Sequence, residues 1–216
     1  ILPVISIVFS LFYLKNVSSF YIHTPDPAYA YLMNGANLAG GNLEVGHTDH
    51  PGTPVQYFAA LVIFIKHLFS PDVPLYRDVV LNTESYLFAC SYVLTLLLAI
   101  VIYLTGALVY KKTENTLLSL FFQATPFICT YDLVYPVQLK PESFIIIGNT
   151  FFTAWLYVYT LGTEKSPGNF LTRKGVIISA IFCSFFVASK ITCLPFIILV
   201  LFLVHNNKER IIFFIL

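Results

Sequence analysis

Charged residues are scarce in this sequence: Asp, Glu, Lys and Arg make up 11% of its 216 positions, hydrophobic residues 57%, and the mean hydropathy is +0.79. Soluble domains carry about 25% charged residues, so the shortage points away from an ordinary water-soluble fold and toward the membrane. A concentrated basic face is also missing. With a formal net charge of +1, there is no stretch suited to a phosphate backbone, and a nucleic-acid partner is excluded as an expectation. The four cysteines, Cys90, Cys129, Cys183 and Cys193, have neither CxxC spacing nor the pattern of a secreted disulfide framework. They are expected to be small buried side chains. No internal repeat or low-complexity tract is visible.

What is present is a series of apolar runs, several near the roughly 20 residues that a helix needs to cross a bilayer core. Ile1 to Leu14 is followed by no small-residue cleavage site, so it reads as a truncated first span rather than a secretory signal. Further runs cover Val55 to Phe69, Tyr86 to Tyr110, Thr116 to Cys129, Ser143 to Leu161, Val176 to Ala188 and Ile191 to Val204. The chain begins without Met and ends inside an apolar stretch, Ile211 to Leu216. A single transmembrane domain over residues 1–216, cut from a longer parent at both ends, is the expectation.

Basic residues orient the spans. Lys111 and Lys112, the loop with Lys165, Arg173 and Lys174, and the loop with Lys208 and Arg210 should all lie on the cytoplasmic side. Alternate crossing then puts Cys129 to Pro141 and the connection around Lys190 outside, and starts the Tyr86 run from outside. Val55 to Phe69 would rise only about 22 Å as a helix and carries Gln56, Lys66 and His67. It is expected to lie against the outer face without crossing. Lys15 to about Leu81 thus becomes one large extracytoplasmic loop, although Lys15 directly after the first run counts against that side. Within it Asp26 and Pro27 should start a helix over Ala28 to Leu38, Gly40 and Gly41 should break the chain, and His47 to Pro54 should form a proline-bounded turn.

Few of the ionisable residues have a single reading. Asp26 is either a helix cap or a carboxylate held near the membrane that takes a proton from a hydroxyl. His47, Asp49 and His50 lack a clear further ligand, so a polar loop is favoured over a metal site. Lys140 and Glu142, where a loop re-enters the bilayer, are either interfacial anchors or functional charges. Lys190 lies between two short apolar runs with no acidic neighbour in sequence. It either snorkels to headgroups or meets a lipid phosphate.

In order, these features resemble the polyprenyl-phosphate-sugar-dependent membrane glycosyltransferases of the GT-C fold, including the protein O-mannosyltransferases, the aminoarabinose transferases and bacterial relatives. Asp26-Pro27 matches the acidic motif after the first span, His50-Pro51-Gly52-Thr53-Pro54 the turn opening a juxtamembrane helix, and Arg77 the arginine before the second span. Glu142 in Lys140-Pro141-Glu142-Ser143 matches a second acidic position, and Lys190 a lysine between the fifth and sixth spans. The resemblance implies an all-α, polytopic transmembrane bundle with juxtamembrane helices on its first outer loop, in a bacterial inner or plasma membrane. It implies sugar transfer with inversion, on the extracytoplasmic face, from a polyprenyl-phosphate donor to a hydroxyl of a glycan, lipid or protein. Asp26 would be the base and Glu142 a second catalytic carboxylate. Lys190, with His50, Arg77 and Lys140, would bind substrate, the cations stabilising the leaving phosphate. No cofactor is required by this chemistry, although some fold relatives use a divalent metal. The competing class is a non-enzymatic polytopic protein, a transporter half or assembly subunit, with the same charges lining a path or anchoring helices.

Overall fold

The longest apolar stretch sets the frame. Thr83–Thr113 is one unbroken helix of 31 residues. It contains no proline, and it stops at Glu114, whose positive φ of 53° ends the hydrogen-bond ladder beside Lys111 and Lys112. At 1.5 Å per residue it rises about 46 Å, more than the roughly 30 Å of a hydrocarbon core. Among the described residues it is the one helix both long and apolar enough to cross a membrane. In the computed structural model the described residues are 1–16, 28–44, 46, 52–128, 134–161, 171–204 and 206–215. Every regular element among them is helical.

In chain order the α-helices are α1 (Leu2–Asn16), α2 (Ala28–Ala39), α3 (Thr53–His67), α4 (Leu75–Leu81), α5 (Thr83–Thr113), α6 (Thr116–Ala124), α7 (Pro141–Leu161), α8 (Arg173–Ser189), α9 (Pro195–Leu203) and α10 (Asn207–Ile215). Short 3-10 turns lie at Thr125–Phe127, Tyr135–Val137 and Ile191–Cys193. The helix expected over Ala28 to Leu38, before the break at Gly40 and Gly41, is α2, while its expected cap Asp26 lies outside the described residues. The run expected to reach Cys129 remains α-helical only to Ala124, giving way to a 3-10 turn around Pro126. Nine residues rise about 14 Å, so α6 alone is too short to span. Pro195 similarly divides the last apolar run into a 3-10 turn and α9.

Side-chain packing fixes which ends lie together. One buried cluster joins Leu14 at the end of α1, Tyr31 and Leu32 of α2, Val55 and Ile63 of α3, Val79 of α4, Tyr86 and Leu87 at the start of α5, and Val137 and Leu139 before α7. At the other end, Leu171 and Val176 at the start of α8 share a cluster with Trp155, Val204 and Phe213, with Leu108 of α5 packed on it. The Lys111, Lys112 pair, the Arg173, Lys174 pair and the start of α10 therefore gather away from the α2–α4 end. Gly35 is a point of close approach: a Cβ there would come 2.5 Å from the Ala59 Cβ, so glycine lets α2 press onto α3.

Candidate functional site

The segment before α7 folds into a tight polar turn. Lys140 N–H donates to the Gln138 carbonyl at 2.8 Å. The Ser143 hydroxyl donates to the Tyr135 carbonyl at 2.7 Å and also contacts the Gln138 carbonyl. Gln138 Nε2 reaches back to the Tyr13 hydroxyl of α1 at 3.0 Å. These bonds hold Lys140, a buried residue, with its ammonium 5.5 Å from the Tyr135 ring centroid, within cation–π range. They also aim Glu142, in the first turn of α7, toward the end of α8.

At that end the backbone leaves the helix at Lys190, whose φ is −156°, after its N–H has bonded to the Phe186 carbonyl. The Lys190 ammonium forms an ion pair with Glu142 Oε1, across 48 positions of sequence. Both side chains are about three-quarters buried, 23% and 26% exposed. Each charge also suits its helix end, the carboxylate at an N-terminus and the ammonium at a C-terminus. The other carboxylate oxygen, Glu142 Oε2, is buried and has no hydrogen-bond partner among the described residues, and the same holds for Gln138 Oε1.

Gly52 adds the start of α3 to this corner. Its N–H donates to the Ser189 carbonyl at 3.3 Å, one residue from Lys190, and its φ of 50° is a conformation that favours glycine. Of the residues singled out from the sequence, Glu142, Lys140 and Lys190 are thus brought together. Lys190, without an acidic neighbour in sequence, has one in space. Asp26 and His50, like His47 and Asp49, lie outside the described residues, Gly52 being the described residue closest along the chain to His50. Arg77 is exposed on α4 and forms no ion pair with a described residue. Of the cysteines, Cys90, Cys183 and Cys193 are buried free thiols, and Cys129 lies outside the described residues.

A second polar centre was not singled out from the sequence. Asp78 of α4, 5% exposed, accepts from the Asn82 amide at 2.8 Å through Oδ1, and through Oδ2 from the Tyr86 hydroxyl at 2.5 Å. Oδ2 also lies 3.2 Å from His67 Nδ1 of α3. The Tyr86 hydroxyl, then the other donors, hold the Asp78 carboxyl below its ordinary pKa against the opposing effect of burial. Lys66 lies beside it, donating to the Ser85 hydroxyl at 2.5 Å with its ammonium 4.2 Å from the Tyr86 ring centroid. Burial lowers the Lys66 pKa, with the Asp78 charge opposing that shift. The available signal was the Asp78, Asn82, Tyr86 spacing of four, which would put three polar groups on one face of a continuous helix; the structure keeps them together across the α4–α5 junction at Asn82.

No family model, curated protein or solved structure matches this chain. The chemistry of the two centres must therefore carry the functional reading. The Asp78 centre has both carboxylate oxygens occupied and can tie α3, α4 and α5 together. The Glu142 corner has two ammonium groups, an unused carboxylate oxygen and an unused amide oxygen. It can offer cations to an anion and acceptor atoms to hydroxyl groups in one place.

Proposed function

We propose that the chain is a multi-pass membrane glycosyltransferase that moves a sugar from a polyprenyl-phosphate donor to an acceptor hydroxyl on the extracytoplasmic face, with inversion. The observation that carries this reading is the meeting of Glu142 and Lys190, two residues 48 positions apart that the resemblance singles out, with Lys140 at one corner of the fold beside Gly52. The gathering of the basic clusters away from this corner agrees with a cytoplasmic end opposite an outer, catalytic one. Outward-facing Tyr92, Leu96, Ile100 and Tyr103 on α5 suit a lipid-facing span. On α3, Tyr57, Leu61, Phe64 and Ile65 are exposed while Val55, Ala59, Val62 and Ile63 are buried. That division suits a helix lying in the membrane interface.

In the proposed reaction Asp26 removes the proton of the acceptor hydroxyl as its oxygen attacks the anomeric carbon opposite the phosphate. The bond from that carbon to the phosphate oxygen breaks, and the electron pair leaves with the phosphate. Lys190 and Lys140 stabilise the charge that grows there, an effect strongest for preorganised groups shielded from water. No metal is needed for these steps. The product lipid is a polyprenyl phosphate.

A structural reading competes on one specific observation, because a Lys–Glu pair about three-quarters buried and joining α7 to α8 is also what an assembly subunit would use to lock two helices. Asp26→Asn separates the two in the complete chain, assayed with a polyprenyl-phosphate-linked sugar. The amide can still accept backbone hydrogen bonds at a helix start, so folding should persist. Transfer should fall by about 100-fold or more if Asp26 is the base. A rate close to wild type would remove Asp26 from that role, and absence of transfer by the wild type across polyprenyl-phosphate sugars and acceptors would favour the assembly reading.

A further inference from the structure

The Glu142–Lys190 pair occupies the place that the proposed function assigns to a phosphate, and the inference drawn from it rests on that reading. One carboxylate oxygen touches the ammonium, whereas the other is buried without a donor. A pair built only to join helices would gain by satisfying both oxygens, as Asp78 does, since a buried acceptor left unbonded is costly. The charged groups acting on Glu142 are Lys190 and Lys140, and the Cys193 thiol also interacts with it. The pair is about one-quarter exposed, so an incoming anion can reach it.

We propose that Glu142 is a stand-in for the donor: in the empty site its carboxylate holds the Lys190 ammonium, and a phosphate oxygen of the lipid-linked donor displaces it. The exchange keeps Lys190 paired throughout. It frees Glu142 when the donor is seated, and both of its oxygens then accept hydrogen bonds from hydroxyls of the sugar or the acceptor. Glu142 therefore lowers donor affinity while supporting transfer, an opposition that a purely structural carboxylate would not produce.

The test is equilibrium binding of sugar-free polyprenyl phosphate to the complete chain in phosphatidylcholine nanodiscs, for wild type, Glu142→Gln and Lys190→Ala. Removing the competing charge should make Glu142→Gln bind about twofold to fivefold more tightly, the range expected for losing a partly exposed ion pair. The same variant should transfer sugar more slowly, and Lys190→Ala should lose the binding. Inorganic phosphate and phosphatidate serve as parallel probes. Tightening confined to polyprenyl phosphate identifies the lipid-linked donor as the displacing group, and equal tightening for inorganic phosphate supports exchange with the phosphate group itself. Unchanged or weaker binding by Glu142→Gln, with binding still lost in Lys190→Ala, overturns the exchange but leaves the donor site standing. Binding of none of the three probes by wild type overturns both. If Glu142→Gln does not fold, Glu142→Asp, whose shorter arm loosens the pair, must show tightening in the same direction.

Discussion

Two carboxylates, Asp78 and Glu142, anchor polar centres at the same end of this helical bundle, and they differ in how completely they are satisfied. Asp78 has a partner on each oxygen and links three helices. Glu142 has one oxygen on Lys190 and one buried oxygen with no donor. The first arrangement is what stability alone would produce, because every desolvated lone pair should find a hydrogen. The second leaves acceptor capacity unused next to two lysines, which is the feature on which the proposed site rests. Glu84 Oε1 and Glu209 Oε2 are also buried without a partner among the described residues; what sets the Glu142 corner apart is that its incomplete bonding lies beside both Lys190 and Lys140.

The largest expected effect falls on the saturated centre. Asp78→Ala strands the buried Tyr86 hydroxyl and the Asn82 amide, and should destabilise the fold by about 3 kcal/mol, read by denaturant unfolding in detergent. Transfer per folded molecule should be unchanged. A loss of transfer with full stability would reverse the contrast between the centres.

The same junction should respond to acid. Because the folded-state pKa of Asp78 is depressed, its contribution is complete above the unfolded value and is lost as pH falls through the lower folded value. The protection factors of the Leu75–Leu81 amides, taken against the intrinsic exchange rate at each pH, should stay constant from about pH 7 to about pH 5 and fall only below about pH 4. Loss of protection near neutrality would mean that the carboxylate is not held by its donors.

The smallest effect is expected at Arg77. Its exposure should limit the stability change on Arg77→Ala to about 0.5 kcal/mol. If it contacts substrate from the rim, transfer should fall no more than about fivefold. A loss as large as that of a core site residue would extend the site to α4.

Helical composition and the positions of the long elements were legible in the sequence because apolar runs and prolines report directly on backbone preference. The boundaries of α2, α5, α7 and α8 follow the runs closely, whereas α6 falls short of Cys129 because Pro126 ends its ladder. Glu142, Lys140 and Lys190 could be chosen one by one from residue type and place in the order of spans. Their ion pair could not, since Glu142 and Lys190 are 48 residues apart and only the antiparallel packing of α7 and α8 joins them. The Asp78 centre was missed for a related reason. In the sequence Asp78 stands in a short connection with no partner in view, and the groups that bond it come from α3, the α4–α5 junction and α5.

Whether Lys190 serves a lipid phosphate and not only Glu142 is read from the initial rate of sugar transfer for wild type and Lys190→Ala in the complete chain. The donor is a polyprenyl-phosphate-linked sugar, and folding is checked by unfolding midpoint. Transfer by wild type and a loss of about 100-fold per folded molecule in the variant is the predicted result. Equal rates for the two proteins at subsaturating donor would contradict it, leaving Lys190 as a helix tie.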